Sequence, residues 1–144
     1  MIEYEGEVTI NVPVEKIFRV LMDAKSYDKF TEMQGTRLVS GESLDLVGAQ
    51  LETVVMKRKM VFEVSAVEPN RRIVFKTVSK DGLQWDSEYR FESLGASSTR
   101  LHQAGKLRFG GIMGLLEPLM RGEVRKSEQK EIEKLKELLE SNKI

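Results

Sequence analysis

A chain of 144 residues, 40% of them hydrophobic, fits one domain able to bury about two-thirds of the surface its unfolded form exposes. Lysine plus arginine and aspartate plus glutamate both number 23, so the formal net charge is zero and no global basic field exists to recruit nucleic acid or an anionic membrane. The absence of cysteine excludes disulfides, thiol nucleophiles and thiolate metal sites together.

The opening segment MIEYEGEVTINV alternates apolar and acidic residues and lacks the basic and apolar regions of a secretory signal. No stretch approaches the roughly twenty apolar residues of a membrane span. The expectation is a cytoplasmic protein that does not insert in a membrane. Residues 2 to 11 read as a strand with Ile2, Tyr4, Val8 and Ile10 on one face, and Gly6 interrupts the alternation as a bulge would. Pro13 suits a first helical turn, and Val14, Ile17, Phe18, Leu21 and Met22 follow at helical spacing as far as Ala24. Ser26 to Phe30 reads as a second short helix or turn pinned by Tyr27 and Phe30.

Six β-rich segments follow: Thr36 to Ser40, Ala49 to Met56, Met60 to Val67, Arg72 to Val78, Gln84 to Phe91 and Thr99 to Phe109. Turn signals separate them at Gly41-Glu42-Ser43, Lys57-Arg58-Lys59, Glu68-Pro69-Asn70, Asp81-Gly82 and Gly95-Ala96-Ser97-Ser98. Links this short join antiparallel neighbours, so the strands form a meander rather than βαβ units. The last third is a long helix opening after Gly110-Gly111. Its apolar start at Ile112, Leu115, Leu116, Leu119 and Met120 contains Pro118, which marks a kink or the true beginning of the helix. A polar window from Glu123 to Glu131 precedes an apolar stripe of Ile132, Leu135, Leu138 and Leu139. The order predicts an α+β fold in which a curved antiparallel sheet of about six to seven strands wraps a long C-terminal helix, with short helices after the first strand.

Alternation within the strands gives the inward side chains. Trp85, Ser87, Tyr89 and Phe91 share one face; Phe62, Val64 and Ala66 form another inward set, as do Ile73, Phe75 and Thr77, Leu101, Gln103, Gly105 and Leu107, and Leu51, Thr53 and Val55. A hydrophobic cavity between sheet and helix would then be lined by Thr53, Phe62, Phe75, Trp85, Ser87, Tyr89 and Gln103, with Met113, Leu116, Met120 and Glu123 from the C-terminal segment at its mouth. Trp85 and Tyr89 can stack on a flat ring or simply fill a core, and the inward hydroxyls can orient a carbonyl or bond a neighbouring backbone group.

The lone histidine, His102, falls between inward Leu101 and Gln103 and should point outward, which leaves no histidine base for chemistry inside. One histidine and no cysteine also argue against a metal centre, and nothing in the chain requires a cofactor.

A resemblance joins these parts. Val12-Pro13-Val14-Glu15-Lys16-Ile17-Phe18, Ser26-Tyr27-Asp28-Lys29-Phe30, Val67-Glu68-Pro69-Asn70-Arg71-Arg72-Ile73-Val74-Phe75 and Tyr89-Arg90-Phe91-Glu92 before Ser98-Thr99-Arg100-Leu101 together resemble the START-like superfamily, over nearly the whole chain. That group includes polyketide cyclase/dehydrase-like proteins, lipid-transport domains and the birch-pollen allergen. The resemblance implies a helix-grip fold over residues 1 to 144 and a cavity for a small hydrophobic molecule, but supplies no catalytic residues to carry over. Three functions are therefore weighed. The first is binding or carriage of a lipid-, aromatic- or polyketide-like compound. The second is a cyclase/dehydratase-type enzyme using Tyr89 with an inward carboxylate such as Glu123. The third is an interaction module, which exposed apolar area around Tyr27, Phe30 and Met33 or self-association would support; homodimerisation through a sheet edge is also open.

Overall fold

A computed structural model describes residues 1–78 and 82–144, so Asp81 of the expected Asp81-Gly82 turn lies outside the described residues. Strand β1 spans Ile2–Ile10, followed by helix α1 (Val14–Leu21), a 3-10 turn (Ala24–Ser26) and helix α2 (Tyr27–Phe30). Six further strands follow, β2 (Gln34–Ser40), β3 (Gln50–Val55), β4 (Arg58–Glu68), β5 (Arg72–Thr77), β6 (Gln84–Gly95) and β7 (Ser98–Arg108). A 3-10 segment, Gly111–Leu116, leads into helix α3, Glu117–Glu140.

The strands form one seven-stranded sheet in the order β1-β7-β6-β5-β4-β3-β2, with every neighbouring pair antiparallel. This is the α+β helix-grip arrangement expected from the sequence. Only the β1–β7 neighbours are distant in the chain, because the first two strands occupy opposite edges. The α1–α2 connection therefore links the two edges of the sheet.

Helix α1 buries Val14, Ile17, Phe18 and Leu21, an i, i+3, i+4, i+7 stripe, and Phe18 meets Phe91 edge to face at 5.9 Å. Tyr27 donates its hydroxyl to the carbonyl of Leu21 at 2.8 Å and packs its ring against Phe30 and Phe75. Tyr27 and Phe30 are thus core residues, each 2% exposed, which pin this segment as expected and give no exposed apolar patch of the kind an interaction module would need there. Asp28 fixes the entry to β2 by accepting from the amides of Gly35 and Thr36 and from the Thr36 hydroxyl.

Three local expectations are corrected by backbone geometry. Gly6 does not mark a bulge, since β1 pairs with β7 without interruption from Ile2↔Leu107 to Ile10↔Thr99. Its missing side chain instead admits α3, because a Cβ there would fall 2.2 Å from Oε1 of Gln129 and 3.3 Å from Ile132. The β3–β4 turn uses Met56 and Lys57, both at positive φ (51° and 62°), as a two-residue turn matching strand twist requires, so Arg58 and Lys59 already belong to β4. A register shift between Val64 and Ala66 changes the facing of β4 beyond it, and Val67, opposite Ile73, packs on the core where Ala66 was expected.

The C-terminal segment shows the largest departure. Pro118 stands in the first turn of α3, where its missing N–H costs nothing, and the preceding residues are 3-10. A three-residue period places Gly114 and Glu117 together on the body. Gly114 lies against the Phe109 carbonyl, and Glu117 accepts from the Phe109 amide at 2.8 Å. Ile112, Leu115 and Leu119 consequently face outward at 81%, 79% and 80% exposure, with Met113 and Leu116 partly exposed beside them. From there α3 buries Ile132, Leu135 and Leu139, each contributing about 1.5–3 kcal/mol relative to an exposed side chain.

Gly105 provides a sharp test of this packing. A Cβ there would meet the Tyr4 hydroxyl at 2.2 Å and its ring at 2.3 Å, so the buried Tyr4 ring would have to shift. Gly105→Ala is expected to destabilise the protein by about 1–3 kcal/mol. It should also perturb tryptophan fluorescence, because Tyr4 accepts from Trp85 Nε1 at 2.8 Å. Chemical denaturation with fluorescence detection reads both effects.

Candidate functional site

A cavity of about 320 Å³ lies between the concave sheet, α2 and α3. Two register rows of the sheet give it opposite characters. In the row where Trp85 faces Leu107, the walls are Phe62, Leu51, Leu107, Phe109 and Met120, and Phe62 and Trp85 meet edge to face at 6.0 Å. In the row where Tyr89 faces Gln103, the lining becomes polar: Tyr89, Gln103, Glu128 and Glu131, with Thr31 and Glu32 at the end of α2. Ser87 on β6 stands between the rows, paired with Gly105. The exposed lining residues Glu32, Met56 and Glu123 mark the mouth.

Of the residues nominated from sequence, Phe62, Phe75, Trp85, Ser87, Tyr89, Gln103, Met120 and Glu123 lie around this one cavity. Thr53, Met113 and Leu116 do not. Thr53 points inward as counted, but its hydroxyl is 2.8 Å from that of Thr36 and donates to the Gln34 carbonyl, joining the Asp28 network that ties β2 to β3. Met113 and Leu116 are carried away from the cavity by the 3-10 geometry described above. Glu123 is at the lip and exposed, so it is not the inward carboxylate expected of it.

That position belongs to Glu128, 6% exposed, with Glu131 one turn further along α3. Gln103, 2% exposed on β7, donates through Nε2 to Oε2 of Glu128 at 3.1 Å and to the Tyr89 hydroxyl at 3.4 Å. Glu131 accepts from the backbone amide of Glu32 at 3.4 Å and is hydrogen-bonded to Glu128 through the side chains. Burial pushes the Glu128 carboxyl up to about 7, partly offset by its bonds to Glu131 and Gln103. Burial raises Glu131 further, and the charge of Glu128 adds to it. Two carboxyls this close in a dry site share a proton rather than ionise together.

Tyr89 and Tyr4 are held far above the ordinary phenol range, first by burial and then by neighbouring charged groups. Their hydroxyls are donors and acceptors at neutral pH, not bases. Among the described residues nothing accepts the Tyr89 proton, so this 4% exposed hydroxyl retains a donor for whatever enters. His102 is on the outer face, 4.0 Å from Glu5. A signal for Glu128 is present in the sequence despite the polar window around it: extending the stripe of Leu139, Leu135 and Ile132 by further helical turns toward the N-terminus leads directly to Glu128 and Val124.

No helix among the described residues is long and apolar enough to cross a membrane. Comparison with curated protein sequences gave no match. Solved structures of the same fold are numerous. The chain is similar to TTHA0849 from Thermus thermophilus, with 18% identity over 97% of this chain and 98% of that one and a TM-score of 0.77. It is similar to a START superfamily protein from Mycobacterium smegmatis, with 16% identity, coverage of 96% and 97%, and a TM-score of 0.74. It also resembles the di-domain ARO/CYC BexL from the BE-7585A biosynthetic pathway, at 14% identity, 95% of this chain, 46% of that chain and a TM-score of 0.72. At these identities the likeness speaks for the fold alone. The family described as polyketide cyclase / dehydrase and lipid transport matches residues 1–140, and the chain belongs to that family.

Proposed function

We propose that this protein binds a small, largely apolar molecule in the cavity between sheet and α3, with the ligand's polar end directed at Tyr89, Gln103 and the Glu128–Glu131 pair. The observation that carries this reading is the segregated lining: aromatic and aliphatic walls in the Trp85–Leu107 row, hydrogen-bonding groups in the Tyr89–Gln103 row. A volume of about 320 Å³ is in the range of small-molecule sites, and convergent polar groups at one end are how such sites orient a ligand. Carriage needs only this asymmetry.

A second reading, cyclase- or dehydratase-type chemistry on a polyketide-like carbonyl compound, is favoured by the carboxyl pair. A group whose proton is exchanged near neutral pH can act as base or acid, and the Tyr89 hydroxyl can donate to a developing enolate.

Native mass spectrometry of freshly purified protein, followed by denaturing extraction, tests the first reading. The expected result is an added mass that extracts into an apolar phase. Protein that carries no compound and fails to bind a neutral apolar dye such as Nile red would overturn it. Incubating the extracted compound with fresh protein then separates the readings. A changed product mass, suppressed in Tyr89→Phe, favours the enzyme; an unchanged compound favours carriage.

A further inference from the structure

The cavity has an unusual charge inventory. The chain carries equal numbers of cationic and anionic side chains, 23 of each, yet among the described lining residues there are four glutamates and no lysine, arginine or histidine. Glu32, Glu123, Glu128 and Glu131 also lack an ion pair among the described residues, although elsewhere glutamates such as Glu52, Glu88 and Glu92 are each met by arginine. Cations are thus plentiful on the outer sheet surface and missing where burial makes an unpaired carboxylate most costly. The four carboxylates do not converge as a metal cage would, since no group of three such side chains among the described residues is placed to hold an ion. Beside them the buried Tyr89 hydroxyl oxygen accepts only from Gln103, at 3.4 Å, and keeps a lone pair that a ligand N–H can use, a second sign that the polar end awaits a ligand group.

We infer that the ligand is an apolar or aromatic amine whose protonated nitrogen supplies the missing cation, and that the cavity rejects fatty-acid-like carboxylates. This rests on the ligand-binding reading above and deepens it. The ring or chain would occupy the Trp85–Phe62–Phe109 end. The ammonium group would sit between Tyr89 and the Glu128–Glu131 pair, with the mouth glutamates Glu32 and Glu123 biasing entry toward cations. A carboxylate placed there would meet like charge and no cationic side chain to compensate.

The test compares three probes of one shape: naphthylmethylamine, naphthalenemethanol and naphthoate. Each competes with Nile red, and calorimetry supplies the dissociation constants at neutral pH. The amine is expected to bind about tenfold or more tighter than the alcohol, and the naphthoate weakest. In the E128Q/E131Q double variant the amine-to-alcohol ratio is expected to fall toward one. Circular dichroism confirms that the variant is folded, and the single variants serve if it is not. Amine affinity of the unaltered protein should also rise with pH as the shared proton leaves, while alcohol affinity should not. An amine no tighter than the alcohol, a naphthoate that binds as well as the amine, or a ratio unmoved by the double variant would each overturn the inference while leaving a ligand cavity in place. Failure of all three probes and of Nile red would instead overturn the cavity reading, and this inference with it.

Discussion

The protein is expected to lose stability as pH rises from 4.5 through about 7, and the E128Q/E131Q variant is expected to lose most of that dependence. The sign follows from the direction of the shifts. Both carboxyls titrate higher in the folded protein than in the unfolded chain, so above 4.5 the folded state holds protons that the unfolded state has released. Their favourable contribution is complete below 4.5 and declines as the pH climbs through the folded values. For each extra proton held, the slope is at most about 1.4 kcal/mol per pH unit. Glu140 works in the opposite sense: the Asn11 amide and Lys136 lower it, so its contribution is present above 4.5 and fades only below. The two effects occupy different windows and do not cancel. Calorimetric melting at fixed ionic strength across this range provides the check. A profile that is flat in the unaltered protein, or as steep in the double variant, would refute the proton-sharing account of the pair. Above pH 7 the double variant should melt higher than the parent, since amides cost less to bury than a carboxylate and can still accept from Gln103.

The same pair shows where the sequence was legible and where it was not. The antiparallel meander from β2 to β7 and the long final helix followed from alternation, short links and helical spacing, because each depends on neighbours close in the chain, whereas the β1–β7 pairing joins the two ends of the strand series and left no such signal. Phe62, Trp85, Tyr89 and Gln103 were assigned to the inner face by parity alone, and they surround the cavity because no register shift intervenes along β6 from Gln84 to Ser93. Ala66 failed for the converse reason, being just past a bulge that no composition signal marked. Thr53 was placed on the correct face but assigned the wrong task, since its partner Thr36 comes from a strand whose register depends on Asp28. Glu128 was missed because a buried carboxylate contradicts the pattern used to find buried positions. The apolar stripe of α3 stops at Ile132, and chemistry rather than packing continues it.

Ser127→Phe is expected to abolish apolar-ligand binding without destabilising the fold. Ser127 lies on α3 at the cavity surface, half-buried, between the apolar lining residue Val124 and the carboxyl of Glu131. Its hydroxyl has no hydrogen-bond partner among the described residues, so replacing it strands no buried donor. A phenyl ring from this position can turn into the cavity, and in a space of about 320 Å³ one ring removes a large share of what a ligand would use. The ring buries apolar surface as it does so, at roughly 25 cal/mol per Å², and the helix tolerates phenylalanine at a cost of about half a kcal/mol. Nile red affinity should therefore fall about tenfold or more. The melting temperature should stay level or rise, whereas Ser127→Ala should bind as the parent does. A cavity that is only a packing defect would show the same stabilisation with no ligand binding to lose. A ligand site elsewhere, for example on the exposed Ile112, Leu115 and Leu119, would leave Nile red binding intact in Ser127→Phe. Loss of binding together with retained stability is the combination that places the ligand between the sheet and α3.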